Sequence, residues 1–251
     1  MSWFSTGYDG VEKADRDQKT GGRAPSRWWM PAGTEDNPSE KEGIFLDDVP
    51  FCYYEHNPKI NGQFKGHWYT CVQGVWPEDP TCAMCVNSVG RYYVGLLTIL
   101  DLSEWEYNGV IYKNMRRLFP AKLETLKLLR AKKKRKGGLV GTKWLISRTG
   151  GKSPNVGNDF EFLGENETVM DEKSGTRVLK DEQYWWTDKE GKKHAPTPFD
   201  YKTVVAPMRN AELARIIGSE STDSDSQGFN FGANDSSKST IHSPDEDSVP
   251  Y

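Results

Sequence analysis

The sequence predicts a mainly β fold, a small Greek-key barrel with one or two short helices. Three observations carry this expectation. β-rich runs of four to nine residues recur between turn signals. Only one long stretch has an apolar stripe at helical spacing. No internal repeat and no alternation of strands with helices points to a solenoid or a parallel sheet. At 251 residues, with 35% hydrophobic and 27% charged side chains, the chain is too polar to be compact throughout. Disordered ends are therefore expected.

Taken in order, residues 1–25 are Gly-rich and mixed in charge (Glu12, Lys13, Asp15, Arg16, Asp17, Lys19), which reads as a flexible arm. Arg27-Trp28-Trp29-Met30 stops at Pro31 as a first strand, and Thr34–Gly43 is a charged loop. Strand-like composition resumes over Ile44–Tyr54. Phe51–Glu55 and His67–Val72 read as a hairpin turning at Asn61-Gly62. Tyr92–Leu100 is the strongest strand, and Val110–Tyr112 follows a second turn signal, Asn108-Gly109. Pro120–Ala131 reads as a helix with Leu123, Leu126, Leu128 and Leu129 as its stripe, ended by the basic run and Gly137-Gly138. Leu139–Arg148 and Phe160–Phe162 are further strands around a loop at Gly150–Asn158. Beyond Gly164 the chain turns polar, with a Tyr184-Trp185-Trp186 cluster and a short helix at Asn210–Ile217. An OB-type barrel over about 26–217, with an inserted lobe at about 50–90, accommodates these pieces best.

The inserted lobe holds all four cysteines, Cys52, Cys71, Cys82 and Cys85. Cys82-Ala-Met-Cys85 is a Cys-x2-Cys knuckle, the spacing at which two thiolates grip one tetrahedral ion. With Cys71 and one histidine it makes a closed set of three sulfurs and a nitrogen, which suits one structural Zn²⁺ and leaves no position for a catalytic water. The fourth ligand is His56 or His67. A strict two-residue turn at Asn61-Gly62 pairs 56 with 67 and 52 with 71, while a wider loop sets His56 opposite Cys71. Cys52 is the spare, expected as a small buried apolar residue.

The charge is unevenly spread. Residues 218–251 carry seven acids against one lysine, a net of −6, within a chain of net charge −3, leaving +3 for the rest. Residues 91–152 carry 15 Lys and Arg against four acids. Aromatics interleave with these bases: Arg91, Tyr92, Tyr93, Trp105, Tyr107, Tyr112, Lys113, Arg116, Arg117, Lys132, Lys133, Lys134, Arg135, Lys136, Lys143, Trp144 and Arg148. Cations that track phosphates beside rings that stack on unpaired bases are what single-stranded nucleic acid requires. Alternation along a strand sends some of these rings into the core, and of Tyr92 and Tyr93 one is expected to face in. The acidic, Ser/Asp-rich end reads as a disordered tail that competes for the basic groove or docks partner proteins.

No phosphate-binding glycine loop, nucleophile elbow or metalloprotease helix motif occurs, so a non-enzymatic role is expected. No run of about 18 apolar residues and no secretion signal is visible, which points to a cytoplasmic protein without membrane contact.

The stretch His56-x-x-Lys59-x-Asn61-Gly62, Trp68-Tyr69, Cys71 and Cys82-x2-Cys85 resembles the single-stranded DNA-binding (helix-destabilising) proteins of T-even-like bacteriophages. The likeness continues through the Tyr92–Asp101 strand and the basic cluster after Val110 to Leu139–Phe162, covering about residues 27–163. It implies an OB-fold core and a zinc subdomain ligated by His56, Cys71, Cys82 and Cys85. It further implies cooperative, sequence-nonspecific coating of exposed strands in replication, recombination and repair, in the host cytoplasm, with an acidic tail contacting replication and recombination proteins. The arm here is mixed in charge rather than basic, and His67 stands near Cys71. A zinc-ribbon RNA-binding or transcription factor is the alternative expectation.

Overall fold

The computed structural model describes residues 25–60, 63–64, 67–107, 110–172, 174–188 and 190–218. The arm expected over 1–25, apart from Pro25, the tail beyond Gly218, and both Asn-Gly turns lie outside the described residues. The fold is mainly β. Fifteen strands are described: β1 (Ser39–Phe45), β2 (Phe51–His56), β3 (Lys59–Ile60), β4 (Gln63–Phe64), β5 (Tyr69–Thr70), β6 (Arg91–Asp101), β7 (Trp105–Tyr107), β8 (Val110–Tyr112), β9 (Met115–Lys122), β10 (Thr142–Arg148), β11 (Asp159–Glu165), β12 (Thr168–Asp171), β13 (Thr176–Leu179), β14 (Trp186–Thr187) and β15 (Lys193–His194). Four helices join them, α1 (Ala83–Val86), α2 (Leu123–Lys136), α3 (Tyr201–Val204) and α4 (Asn210–Gly218), with a 3₁₀ turn at Glu182–Tyr184. No described helix is long and apolar enough to cross a membrane. The chain divides into two compact units.

The first unit takes its described residues from 25–50, 96–120 and 129–200. Here β11, β10, β1 and β6 lie in that order, with β9 also paired to β6. β1 runs antiparallel to β10, from Ser39 opposite Arg148 to Ile44 opposite Lys143. β10 shows the period-two rule without interruption: Thr142, Trp144, Ile146 and Arg148 are buried, and Lys143, Leu145 and Ser147 are not. The core is built largely from rings. Phe119 meets Trp28, Phe45 and Phe160 at centroid distances of 6.2, 5.3 and 6.1 Å, separations typical of favourable tilted and edge-on pairs. Gly157 adopts φ +98°, and a Cβ there would sit 2.4 Å from Ile146, so only glycine fits this loop.

The second unit takes its described residues from 51–95, 121–128 and 201–218. It contains β2 between the start of β6 and β5, the β3–β4 hairpin, and helices α1, α3 and α4. No sheet among the described residues closes on itself.

Several boundaries differ from the sequence reading. The expected first strand is only a single parallel bridge, Arg27 to Leu118, although Trp28 and Met30 are buried. The Thr34–Gly43 loop gives up its second half to β1, because Ser39–Phe45 has β10 and β6 on either side. Pro120 belongs to β9, not to a helix start. Helix α2 begins at Leu123 and runs through the basic residues to Lys136, since Lys and Arg are good helix formers. Gly137, at φ +78°, ends it. The polar 164–198 region, in which the sequence reading named no strand, forms the two hairpins β12–β13 and β14–β15.

Candidate metal centre and nucleic-acid face

The second unit gathers His56, Cys71, Cys82 and Cys85 so that their ligand atoms all lie within 4.8 Å of one another. Three local devices deliver them. His56 ends β2, opposite Tyr69 in β5. Cys71 follows β5, its N–H donating to the Tyr54 carbonyl at 2.8 Å. Cys82 precedes the single turn α1 as its N-cap and Cys85 lies within it, and the Val86 N–H closes onto the Cys82 carbonyl at 3.0 Å. The turn ends with the Ser88 N–H on Cys85 O at 3.1 Å and the Val89 N–H on Met84 O at 2.9 Å, a Schellman closure that places Ser88 at φ +59°.

The distances suit a tetrahedral ion. Cys71 Sγ and Cys85 Sγ are 3.6 Å apart, and His56 Nε2 lies 3.6 Å from Cys82 Sγ and 3.5 Å from Cys85 Sγ. Bonds of about 2.3 Å to sulfur and about 2.0–2.1 Å to nitrogen require edges of about this length. All four cysteines are unbridged. His56 Nδ1 lies 3.0 Å from the Gly90 carbonyl and 3.2 Å from that of Val89. Carbonyls only accept, so Nδ1 carries the proton and Nε2 presents its lone pair to the sulfurs, the usual second contact of a ligating histidine. Burial is the main cause that holds the His56 pKa below its ordinary value, and it pushes the Cys85 thiol up to about 12, helped by Cys71 and Cys82. Burial opposes ionisation of Cys82, but the N–H groups of Cys85, Val72 and Met84 prevail and lower its pKa.

His67 is exposed and outside the cluster, so of the two histidines His56 joins the cysteines. Neither expected hairpin register occurs. β3 pairs with β4 as a two-residue turn demands, but β2 and β5 are offset from that register by two residues, with Glu55 opposite Thr70. Cys52 is exposed rather than buried, because β2 alternates and Cys52 shares its outward side with Tyr54.

Sequence reasoning expected helix α4 but not its packing against this lobe. Leu213 of α4 is fully buried with Cys71, Val72, Trp76, Cys82 and Met84, and Ile216 and Ile217 pack against the same cluster. Cys82 offers α1 no side-chain cap. Asn210 Oδ1 supplies one instead, accepting from the Ala83 N–H at 2.6 Å, while its Nδ2 donates to Asp79 at 2.9 Å and to Thr81 at 3.2 Å. Arg209 lies 4.1 Å over the Trp76 ring and 2.7 Å from Glu78. The available signal was the i, i+3, i+4 spacing of Leu213, Ile216 and Ile217.

The basic and aromatic residues separate by unit. In the second unit Arg91, Tyr92 and Tyr93 open β6, and all three are exposed. Both tyrosines are out, at 38% and 40% exposure, contrary to the expectation that one faces the core. The reason is that burial in β6 begins only at Val94. The Arg91 guanidinium lies 4.2 Å over the ring of Tyr54, which meets Tyr93 edge-on at 5.2 Å. Lys122 Nζ lies 5.1 Å from the Tyr92 ring. Tyr54 and Lys122 were not anticipated, because each borders the others only through strand pairing.

In the first unit most expected contacts are tied into the fold. Trp144 and Arg148, each 2% exposed, are core residues on the inward side of β10, which corrects their expected place at a nucleic-acid surface. Trp144 Nε1 donates to Thr142 Oγ1 at 2.7 Å, and Arg148 donates to the Met30 carbonyl. Arg116 donates to Thr197 O at 2.9 Å and covers Phe199. Arg117 reaches Ser26 and Asp101, Lys132 the Phe160 carbonyl, Lys133 the Asp48 carbonyl, and Lys143 Glu42. Lys136 sits 3.4 Å over Phe162. Tyr112 is half-buried. Lys113, Lys134 and Arg135 are exposed without a partner among the described residues. The side chains of Trp105 and Tyr107 are outside those described.

Comparison with protein-family models, curated proteins and solved structures returns no match to this chain.

Proposed function

We propose that this protein binds single-stranded DNA without sequence preference, coating exposed strands in replication, recombination and repair, and that it is not an enzyme. The observation that carries the reading is the Arg91–Tyr54–Tyr93 array beside Tyr92 and Lys122, cations and exposed rings on one small unit. Phosphates take the cations, and bases stack on the rings at about 1–3 kcal/mol each. The ion is Zn²⁺, one per chain, held by His56, Cys71, Cys82 and Cys85. Three sulfurs and one nitrogen fill a tetrahedron, so zinc acts as a staple and supplies folding energy rather than a reactive water. The surrounding strands belong to an OB-type barrel in this reading. The protein works in the cytoplasm, that of a host cell if phage-encoded, with copies contacting one another along DNA. The acidic tail recruits replication and recombination proteins, so removing it strengthens DNA binding. DNA is preferred over RNA on the resemblance to the phage proteins.

A competition among oligo-dT, oligo-U and duplex DNA at two salt concentrations tests this. The expected result is preference for oligo-dT, quenched aromatic fluorescence, and affinity falling with salt at a logarithmic slope of about −0.7 per phosphate contacted. Preference for structured RNA or promoter duplex instead favours a zinc-ribbon RNA-binding or transcription factor.

A further inference from the structure

Beside the metal centre, within the second unit, lies a hollow of about 460 Å³. That volume falls in the range of about 300–1,000 Å³ of small-molecule sites. Val89 and Gly90 line it, and their carbonyls accept from His56 Nδ1. Tyr92 supplies an aromatic face and Lys59 a cation. Lys122 adds positive charge 5.1 Å from the same ring. No carboxylate lines the hollow among the described residues, so its field favours an anion. Asn87 donates through Nδ2 to the Ala83 carbonyl at 2.8 Å, which leaves its Oδ1 as the acceptor. Glycine at position 90 lets the Tyr92 ring lie close, since a Cβ there would sit 3.2 Å from its hydroxyl. A flat ring, a polar acceptor and two cations fit a base joined to a phosphate. They do not fit a bare metal ion or an apolar ligand.

We infer that this hollow binds one unstacked nucleotide, its base against Tyr92 and its phosphate toward Lys59 and Lys122. The inference rests on the nucleic-acid reading above and adds to it a discrete, saturable site for a single nucleoside phosphate. The metal lobe shapes that site, because the ligand His56 holds its wall.

The test titrates the full-length, zinc-loaded chain with each of the four deoxynucleoside 5′-monophosphates and with inorganic phosphate, followed by saturation-transfer NMR. Metal content and thermal melting of every variant confirm folding. The expected result is saturable binding of mononucleotides, weaker by about tenfold for Tyr92→Leu, the loss of about one stacked base. Lys59→Ala should also weaken it, and inorganic phosphate should bind far more weakly than any mononucleotide. No saturable mononucleotide binding, or binding unchanged in both variants, overturns the site even where oligo-dT still binds. Mononucleotide binding without oligo-dT binding upholds the site as one for free nucleotides and removes the strand-coating reading. Competition between oligo-dT and the bound mononucleotide assigns the site to a nucleotide of the strand.

Discussion

His56 Nδ1 donates to the Gly90 carbonyl at 3.0 Å while Nε2 faces Cys82 and Cys85. One imidazole thus ties the backbone just before β6 to the cysteine cluster and leaves Nε2 as the nitrogen able to take an ion. His56→Ala should lose metal and lower the melting temperature, as Cys82→Ser and Cys85→Ser should. His67→Ala should retain one equivalent of metal. Metal analysis of the purified variants, read beside their melting curves, checks this, and metal retained in Cys85→Ser would refute the assignment.

The pKa shifts set the pH dependence of the metal-free protein. His56 is held below its ordinary 6.5, mainly by burial, so its contribution is complete above that value and is lost as pH falls through its depressed pKa. Cys85 is raised from 9.0 to about 12. Its contribution is complete below 9.0 and is lost as pH rises toward 12. Cys82, lowered from 9.0, adds stability that is complete above 9.0 and is lost as pH falls through its depressed pKa, so metal-free melting should fall off below 6.5 and above 9.0. Metal must displace the Cys85 proton, so affinity should rise with pH, with net proton release on binding. Calorimetry in buffers of different ionisation enthalpy measures that release.

Helix α4 is a working part of the metal lobe. Leu213→Ala should destabilise the lobe by about 2–5 kcal/mol, the usual cost of emptying a buried leucine site. Asn210→Ala should cost about 1 kcal/mol through the lost cap. Both should weaken metal binding, because Leu213 packs in one cluster with Cys71 and Cys82. Chelator competition reads the change, and unaltered metal affinity in Leu213→Ala would contradict it.

Ser88 sits in the left-handed region at φ +59°. A β-branched side chain tolerates that conformation poorly, so Ser88→Val should lower stability by about 1–2 kcal/mol, while Ser88→Gly should stay close to wild type. Urea unfolding of the two variants gives the comparison.

Trp144→Ala should cost about 3–5 kcal/mol of stability, with no loss of nucleic-acid affinity in the folded fraction. Denaturation and binding measured on one preparation separate the two effects.

The legible parts of the sequence were those with local causes. The Cys82–Cys85 knuckle, the β6 run and the Asn210–Ile217 helix each carry their pattern within a dozen residues. The three cysteines were legible from their spacing, and the resemblance pointed to His56, which the cluster contains. Spacing alone left His67 open, because the register of β2 against β5 depends on pairing across the sheet rather than on the Asn61-Gly62 signal. Trp144 and Arg148 were misplaced for a related reason. Composition alone counts a ring and a guanidinium as surface chemistry, whereas β10 alternation and the Met30 carbonyl hold them inside. The hairpins after Gly164 escaped notice because their strands, such as Trp186–Thr187 and Lys193–His194, are too short and polar to show periodicity.

The most direct test is a titration of oligo-dT and matched duplex into the wild-type chain and into a Tyr54→Leu/Tyr93→Leu double variant that retains its metal. The account predicts tighter binding of the single strand by the wild type and a loss of about 2 kcal/mol or more in the variant, from two removed stacking faces. Equal affinity for single strand and duplex, or an unweakened double variant, would contradict it.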